Sequence, residues 1–176
     1  MYLFAVTDTS AADSTPSGPP SDHGIFDEPS ISRQWVARRL QRALSIERWG
    51  GAVRGGFASL PDPTGALLGK HADAAASRAS RIYDLIEAIG AKPYGHVAFG
   101  GSLVRGAARL FATVGRPPAR KLAHMLAEHT LSEYENLGAL TTDAPGVSVE
   151  IAAAIVPLQD QVLEEFRELD RARKTR

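Results

Sequence analysis

From residue 31 to the C-terminus, apolar residues recur at spacings of three and four, and nowhere do they alternate as strand residues would. That periodicity restricts the chain to helices packed on helices. Glycine and proline divide the pattern. Asp62–Pro63 sets an N-cap before a proline suited to the first helical position. Gly90 ends the segment that follows. Gly115 and Pro117–Pro118 precede another, and Asp143, Pro145 and Gly146 make a turn. The spacing predicts helices from Ser30 or Ser32 to Phe57, from Asp62 to Ile89, around Leu122–Leu140, and from Ser148 to Ala172. Residues 91–115 are less regular and carry a short helix in SLVRGAARLFATVG. The expected fold class is all-α: a four-helix bundle with a short crossing helix between the second and third long helices.

Winding each segment at about 100° per residue predicts its buried face. On the first helix Trp35, Ala43, Ile46, Gly50, Val53 and Phe57 share a face with Arg39, and Glu47 lies on the flank. On the second, Leu68, Ala75, Ala79, Ile82 and Ile86 form the stripe, with His71 and Arg78 at its edge. On the fourth, the stripe is Ile151, Ile155, Leu158, Val162, Phe166 and Leu169, and Pro157 should kink the helix or open a turn. The third helix is the most informative. Ala119, Leu122, Ala123, Leu126, Thr130, Leu137 and Leu140 share one face, and Glu133 lands inside it. A carboxylate on a buried face needs a metal, a cation or a hydrogen-bond network.

At 176 residues the chain can bury a core as one domain. Twenty basic and twenty acidic residues cancel, so no overall charge draws it to nucleic acid. Without cysteine there is no disulfide, thiolate site or thiol nucleophile. No apolar run reaches the ~18 residues of a membrane span, and MYLFAV lacks the basic start of a signal peptide, so the expected location is cytoplasmic. Residues 1–30 are rich in Ser, Pro, Asp and Gly. They read as a flexible tail or as an arm that docks on a partner through Tyr2, Leu3 and Phe4 and through Ile25 and Phe26. The bundle is expected over 31–172 and a basic tail over 173–176.

Familiar motifs fail. GALLGKH at 65–71 is a residue short of a phosphate loop, lacks its Ser/Thr and follows no strand. HExxH and GxSxG are absent. Of His23, His71, His96, His124 and His129, only His71 and His129 fall near core faces. The carboxylates nearest the interior are Glu47, Glu133 and Glu165, while Asp73, Asp84 and Glu87 of the second helix point outward.

LSIERWGGAV, GKHADAAASRASRIYDLIEAIGAKP and SEYENLGAL, followed by the last helix, resemble the ferritin-like superfamily, and its small bacterial stress-associated branch in particular. The resemblance implies a bundle with a dinuclear iron or manganese centre, held by glutamates and ExxH pairs. It places Glu47 and Glu133 at carboxylate positions and His71 at a histidine position. The second-helix carboxylate position falls at Ala74 or Ala75, and Arg78 takes the next polar position. On the last helix the metal-facing pair becomes Gln159 and Leu163, or Gln161 and Glu165 in a shifted register, and neither register leaves an ExxH.

A fixed cation repels a divalent metal. Arg78, with Arg39, is therefore expected to replace the metal as counter-charge, pairing with Glu133 or Glu165. The favoured reading is a non-catalytic bundle without cofactor, acting as a protein-binding or scaffold component or a homo-oligomer, with the Arg-rich first helix and the N-terminal arm as contact surfaces. The alternative is a di-iron or manganese oxidoreductase or ferroxidase using Glu47, His71, Glu133 and Glu165 as ligands. A third reading, a small apolar ligand cavity, rests on Pro157 and the glycine clusters.

Overall fold

Asp62 starts its helix as an N-cap should. Its Oδ1 accepts hydrogen bonds from the backbone N–H groups of Thr64, at 2.8 Å, and Gly65, at 3.3 Å, and Pro63 opens the first turn. At the other end Gly90 takes φ +72°, a left-handed conformation suited to glycine. The Ala91 N–H then reaches back to the Ile86 carbonyl at 3.0 Å, and the Gly90 N–H to that of Glu87 at 2.8 Å. The computed structural model describes residues 33–93, 100–114, 116–143 and 149–174. The proposed docking residues Tyr2, Leu3, Phe4, Ile25 and Phe26 lie outside them.

The described residues form five helices and no strand: α1 (Arg33–Phe57), α2 (Pro63–Ala88), α3 (Gly100–Val114), α4 (Arg116–Asp143) and α5 (Val149–Lys174). None is long and apolar enough to cross a membrane. The helix α5 continues through Pro157. α1 packs on α2 and α4, and α5 also packs on both α2 and α4. α3 lies against α1 and, more lightly, α4.

Two apolar clusters make the core. The first joins Leu40 and Leu44 of α1, Ile82 and Ile86 of α2, Leu137 of α4, and Ile151 and Ile155 of α5. The second joins Phe57, Leu68, Ala108, Ala112, Ala119, Ala123 and Leu169. Residue order gives the directions. α1 and α5 run from the first cluster to the second, and α2 and α4 run the opposite way. α2 ends at the first cluster while α4 begins at the second, so the segment containing α3 carries the chain back along the molecule.

The stripes predicted on α2 and α5 are buried, apart from the partly buried Phe166. On α1 the predicted Ala43, Gly50 and Phe57 are buried, but Val36, Leu40, Leu44 and Glu47 face inward beside them, and Trp35 is 40% exposed. On α4, Leu122 is 42% exposed and Tyr134 takes a core position.

Candidate functional site

Between the two apolar clusters each long helix contributes polar side chains to one buried layer. Glu47 and Arg54 are seven residues apart on α1, about two turns, so they share a face. His71 and Arg78 repeat that spacing on α2. α4 supplies Thr130 and Tyr134, four apart, and α5 supplies Glu165. Glu47, Arg54, Arg78, Thr130 and Tyr134 are each at most 2% exposed, and Glu165 is 9% exposed.

Arg78 organises the layer. Its Nε donates to Glu47 Oε1 at 2.7 Å and its Nη2 to Glu47 Oε2 at 3.0 Å. Its Nη1 donates to Glu165 Oε1, and its Nη2 reaches Glu165 Oε2 at 3.1 Å. All four carboxylate oxygens thus accept from one planar guanidinium, which binds two carboxylates in a way the point charge of lysine cannot. Arg54 is less well served. Its Nη2 donates to Thr130 Oγ1 at 3.1 Å, and Thr130 in turn donates to the Leu126 carbonyl at 2.7 Å. Its Nη1 lies 3.9 Å from both Glu47 Oε2 and Glu165 Oε2 but makes no hydrogen bond, and neither does its Nε.

Two guanidinium and two carboxylate charges cancel, which is the condition under which such groups tolerate a low-dielectric interior. Burial lowers the Arg54 pKa against the pull of Glu47 and Glu165. Burial would lower that of Arg78 too, but its hydrogen bonds to Glu47 and Glu165 outweigh this and raise it. Burial, then the negative charge of Glu47, pushes the Tyr134 phenol up.

A second ionic group adjoins the layer. The His71 imidazole is fully buried, and its Nε2 lies 2.9 Å from Glu168 Oε2. Lys70 Nζ also donates to Glu168, at 2.8 and 3.2 Å. Burial lowers the His71 pKa despite that carboxylate. A histidine held below its unfolded value stabilises fully above that value and loses the contribution as pH falls. Acid destabilisation through His71 is therefore expected to set in below pH 6.5, the ordinary imidazole value, ahead of the carboxylates. Urea midpoints measured between neutral and mildly acidic pH should fall in the native chain and fall less in His71→Gln. Parallel curves would remove His71 as the cause.

The structure brings together only some of the residues singled out in the sequence. Glu47, Arg78 and Glu165 converge. Glu133 does not join them and is not the partner of Arg78. Consecutive helical residues point about 100° apart, and Tyr134 takes the position facing Arg78, while Glu133, itself only 9% exposed, pairs with the half-exposed Arg42. Arg39 is likewise not a buried counter-charge. Its guanidinium stacks 5.6 Å from the centre of the Trp35 ring. His71 turns to Glu168. The four residues suggested as metal ligands thus have three separate partners.

A dinuclear metal pair does not fit this arrangement, because the Arg78 guanidinium lies between the two central carboxylates and uses all their oxygens. Among the described residues no three His, Cys, Asp or Glu side chains converge as metal ligands. Sequence reasoning missed Arg54, Tyr134 and Glu168. The signal for Arg54 was its seven-residue spacing from Glu47. No family model, curated protein or solved structure matches the chain.

Proposed function

We propose that the chain is a ferritin-like four-helix bundle in which an ion-paired layer stands where the dinuclear centre would be, and that it works without a cofactor as a protein-binding or scaffold component. The observation that carries the reading is the engagement of every Glu47 and Glu165 oxygen by Arg78. The order of the helices supports the layout, with a return segment joining two long helices that run the same way.

The binding role draws support from α3. Leu103 and Leu110, seven residues apart, are 78% and 70% exposed, on a helix whose other side packs against α1 through Ala108, Ala112 and Phe111, the last with its ring 6.3 Å from that of Phe57. Such an apolar stripe on a surface helix suits a protein contact, including one with a second copy of the chain.

Two measurements test the proposal. Metal analysis of the purified protein is expected to give far less than one iron or manganese per chain, and near-stoichiometric metal would defeat the reading. Sedimentation over a range of concentrations is expected to show association that Leu110→Glu weakens. A native chain that stays monomeric and captures no protein would remove the binding role.

A further inference from the structure

On α3 the leucines face away from the bundle. Ala108 and Ala112 meet α1, and only the Phe111 ring, 6.3 Å from that of Phe57, adds a large side chain on that side. Leu103 and Leu110 are 78% and 70% exposed, and Ala107, exposed between them, makes the stripe continuous. A surface helix normally turns its large apolar residues inward. An outward stripe marks a face that another segment covers.

Charge selects an acidic segment. Arg109 flanks the stripe about 100° from Leu110, Arg105 lies one turn before it, and both are exposed. Residues 88–127 hold no Asp or Glu, and Arg116 and Lys121 continue the basic run beyond α3. The charge of the whole chain nevertheless cancels. Much of the balance lies ahead of α1, where residues 1–32 carry Asp8, Asp13, Asp22, Asp27 and Glu28 and no Lys or Arg. The same residues contain two apolar stretches, Tyr2–Val6 and Ile25–Phe26.

Reach decides between the two. α3 is seated at Gly56 of α1, where an added Cβ would collide with the Ala108 Cβ and the Arg105 carbonyl oxygen. Gly56 is 23 residues past Arg33, about 35 Å along the helix. Phe26 is seven residues before Arg33 and spans at most about 25 Å, so it falls short. Phe4 is 29 residues before Arg33 and reaches up to roughly 100 Å. Fully extended, Tyr2–Val6 covers about 17 Å, enough for the rise of about 10 Å from Leu103 to Leu110.

We propose that Tyr2–Val6 docks on the outward face of α3 within the same chain. Its apolar side chains cover Leu103, Ala107 and Leu110, and Asp8 pairs with Arg109. Tethered through residues 7–32, the stretch meets α3 at an effective concentration on the order of millimolar, which a second copy or a separate acidic peptide matches only when concentrated. A partner of α3 binds by displacing it. The inference rests on the reading of α3 as a contact face and names the occupant of that face.

The chain has no cysteine, so two introduced thiols report the contact in the full chain. Ala5→Cys with Ala107→Cys is expected to form an intrachain disulfide in a glutathione redox buffer about tenfold or more faster than Ala5→Cys with Ala153→Cys. Ala153 is exposed on α5 between Ile151 and Ile155, at the end of the bundle where α1 begins, so an undocked tether reaches it at least as easily. Adding Leu110→Glu, at an exposed position, should slow the first pair to the rate of the second with unaltered circular dichroism. Three results would overturn the proposal: equal rates in the two pairs, a rate indifferent to Leu110→Glu, or disulfides formed mainly between chains, the last assigning the face to a second copy. Sedimentation tests the contact face separately. Association weakened by Leu110→Glu without the faster intrachain disulfide would leave the protein-binding role standing and remove the docked stretch.

Discussion

Replacing Arg78 by alanine is expected to destabilise the fold by about 3–5 kcal/mol, the usual cost of removing one partner from a buried ion pair. The substitution strips Glu47 and Glu165 of every guanidinium hydrogen bond. Arg54, 3.9 Å from each carboxylate, is then the nearest remaining cation in the layer. Arg54→Ala removes the same charge but only the hydrogen bond to Thr130 and the two longer contacts, so it should cost less. Arg78→Lys should recover part of the loss, because one ammonium cannot span two carboxylates in a plane. Urea unfolding of the three variants orders them directly. An Arg54→Ala cost equal to or above that of Arg78→Ala would show that Arg78 does not organise the layer. Replacing all four charged residues by apolar side chains of similar volume is expected to leave stability equal or higher, since buried pairs roughly break even against good packing.

Gly56→Ala should give the second large effect. A Cβ built at Gly56 would stand 2.5 Å from the Ala108 Cβ and 2.6 Å from the Arg105 carbonyl oxygen. The second contact is with backbone, so no side chain can rotate away, and α3 must lift from α1. Overpacking of this kind costs about 1–3 kcal/mol, occasionally more. Loss of hydrogen-exchange protection confined largely to α3 would identify the cause. Gly106→Ala provides the contrast. No atom lies within 4 Å of its Cβ position, so the change should stabilise the helix by about 0.5–1 kcal/mol. If both substitutions act alike, close approach at Gly56 is not what seats α3.

The helical architecture was legible because its punctuation is chemical. Asp62–Pro63 and Gly90 mark the ends of α2 through capping and a left-handed turn, both local to a few residues. The stripes of α2 and α5 were legible because their inward positions are mostly Leu, Ile, Val and Ala. The face of α1 was legible only in part, at Ala43, Gly50 and Phe57, and the reason is the site itself. Glu47 and Arg54 hold two of its core positions beside Val36, Leu40, Leu44 and Phe57, while Trp35 and Trp49 lie 40% and 44% exposed, so apolar residues stand on both sides of the helix and do not single out the buried one. Arg78 was recognised as a buried counter-charge, but its partners depend on how three helices meet. Spacing within one helix states which residues share a face, and it does not state which carboxylate on another helix lies opposite. Tyr134 is hard to place from the sequence because a face centred on Glu133 lies about 100° from it.

Alanine and glycine line much of the contact between α1, α2 and α4, including Gly51 against Ala75 and the run Ala119, Ala123 and Ala127. Small side chains make shallow ridges, so sliding one helix along another by a residue, about 1.5 Å, forfeits little packing. The ion-paired layer removes that freedom. A planar guanidinium that satisfies four oxygens from two helices cannot do so after a one-residue shift, and each misaligned arrangement leaves buried charge unmatched. The layer therefore selects one alignment from several of similar packing energy, and a chain given four apolar residues there should be as stable yet populate more than one packing, visible as broadened side-chain resonances.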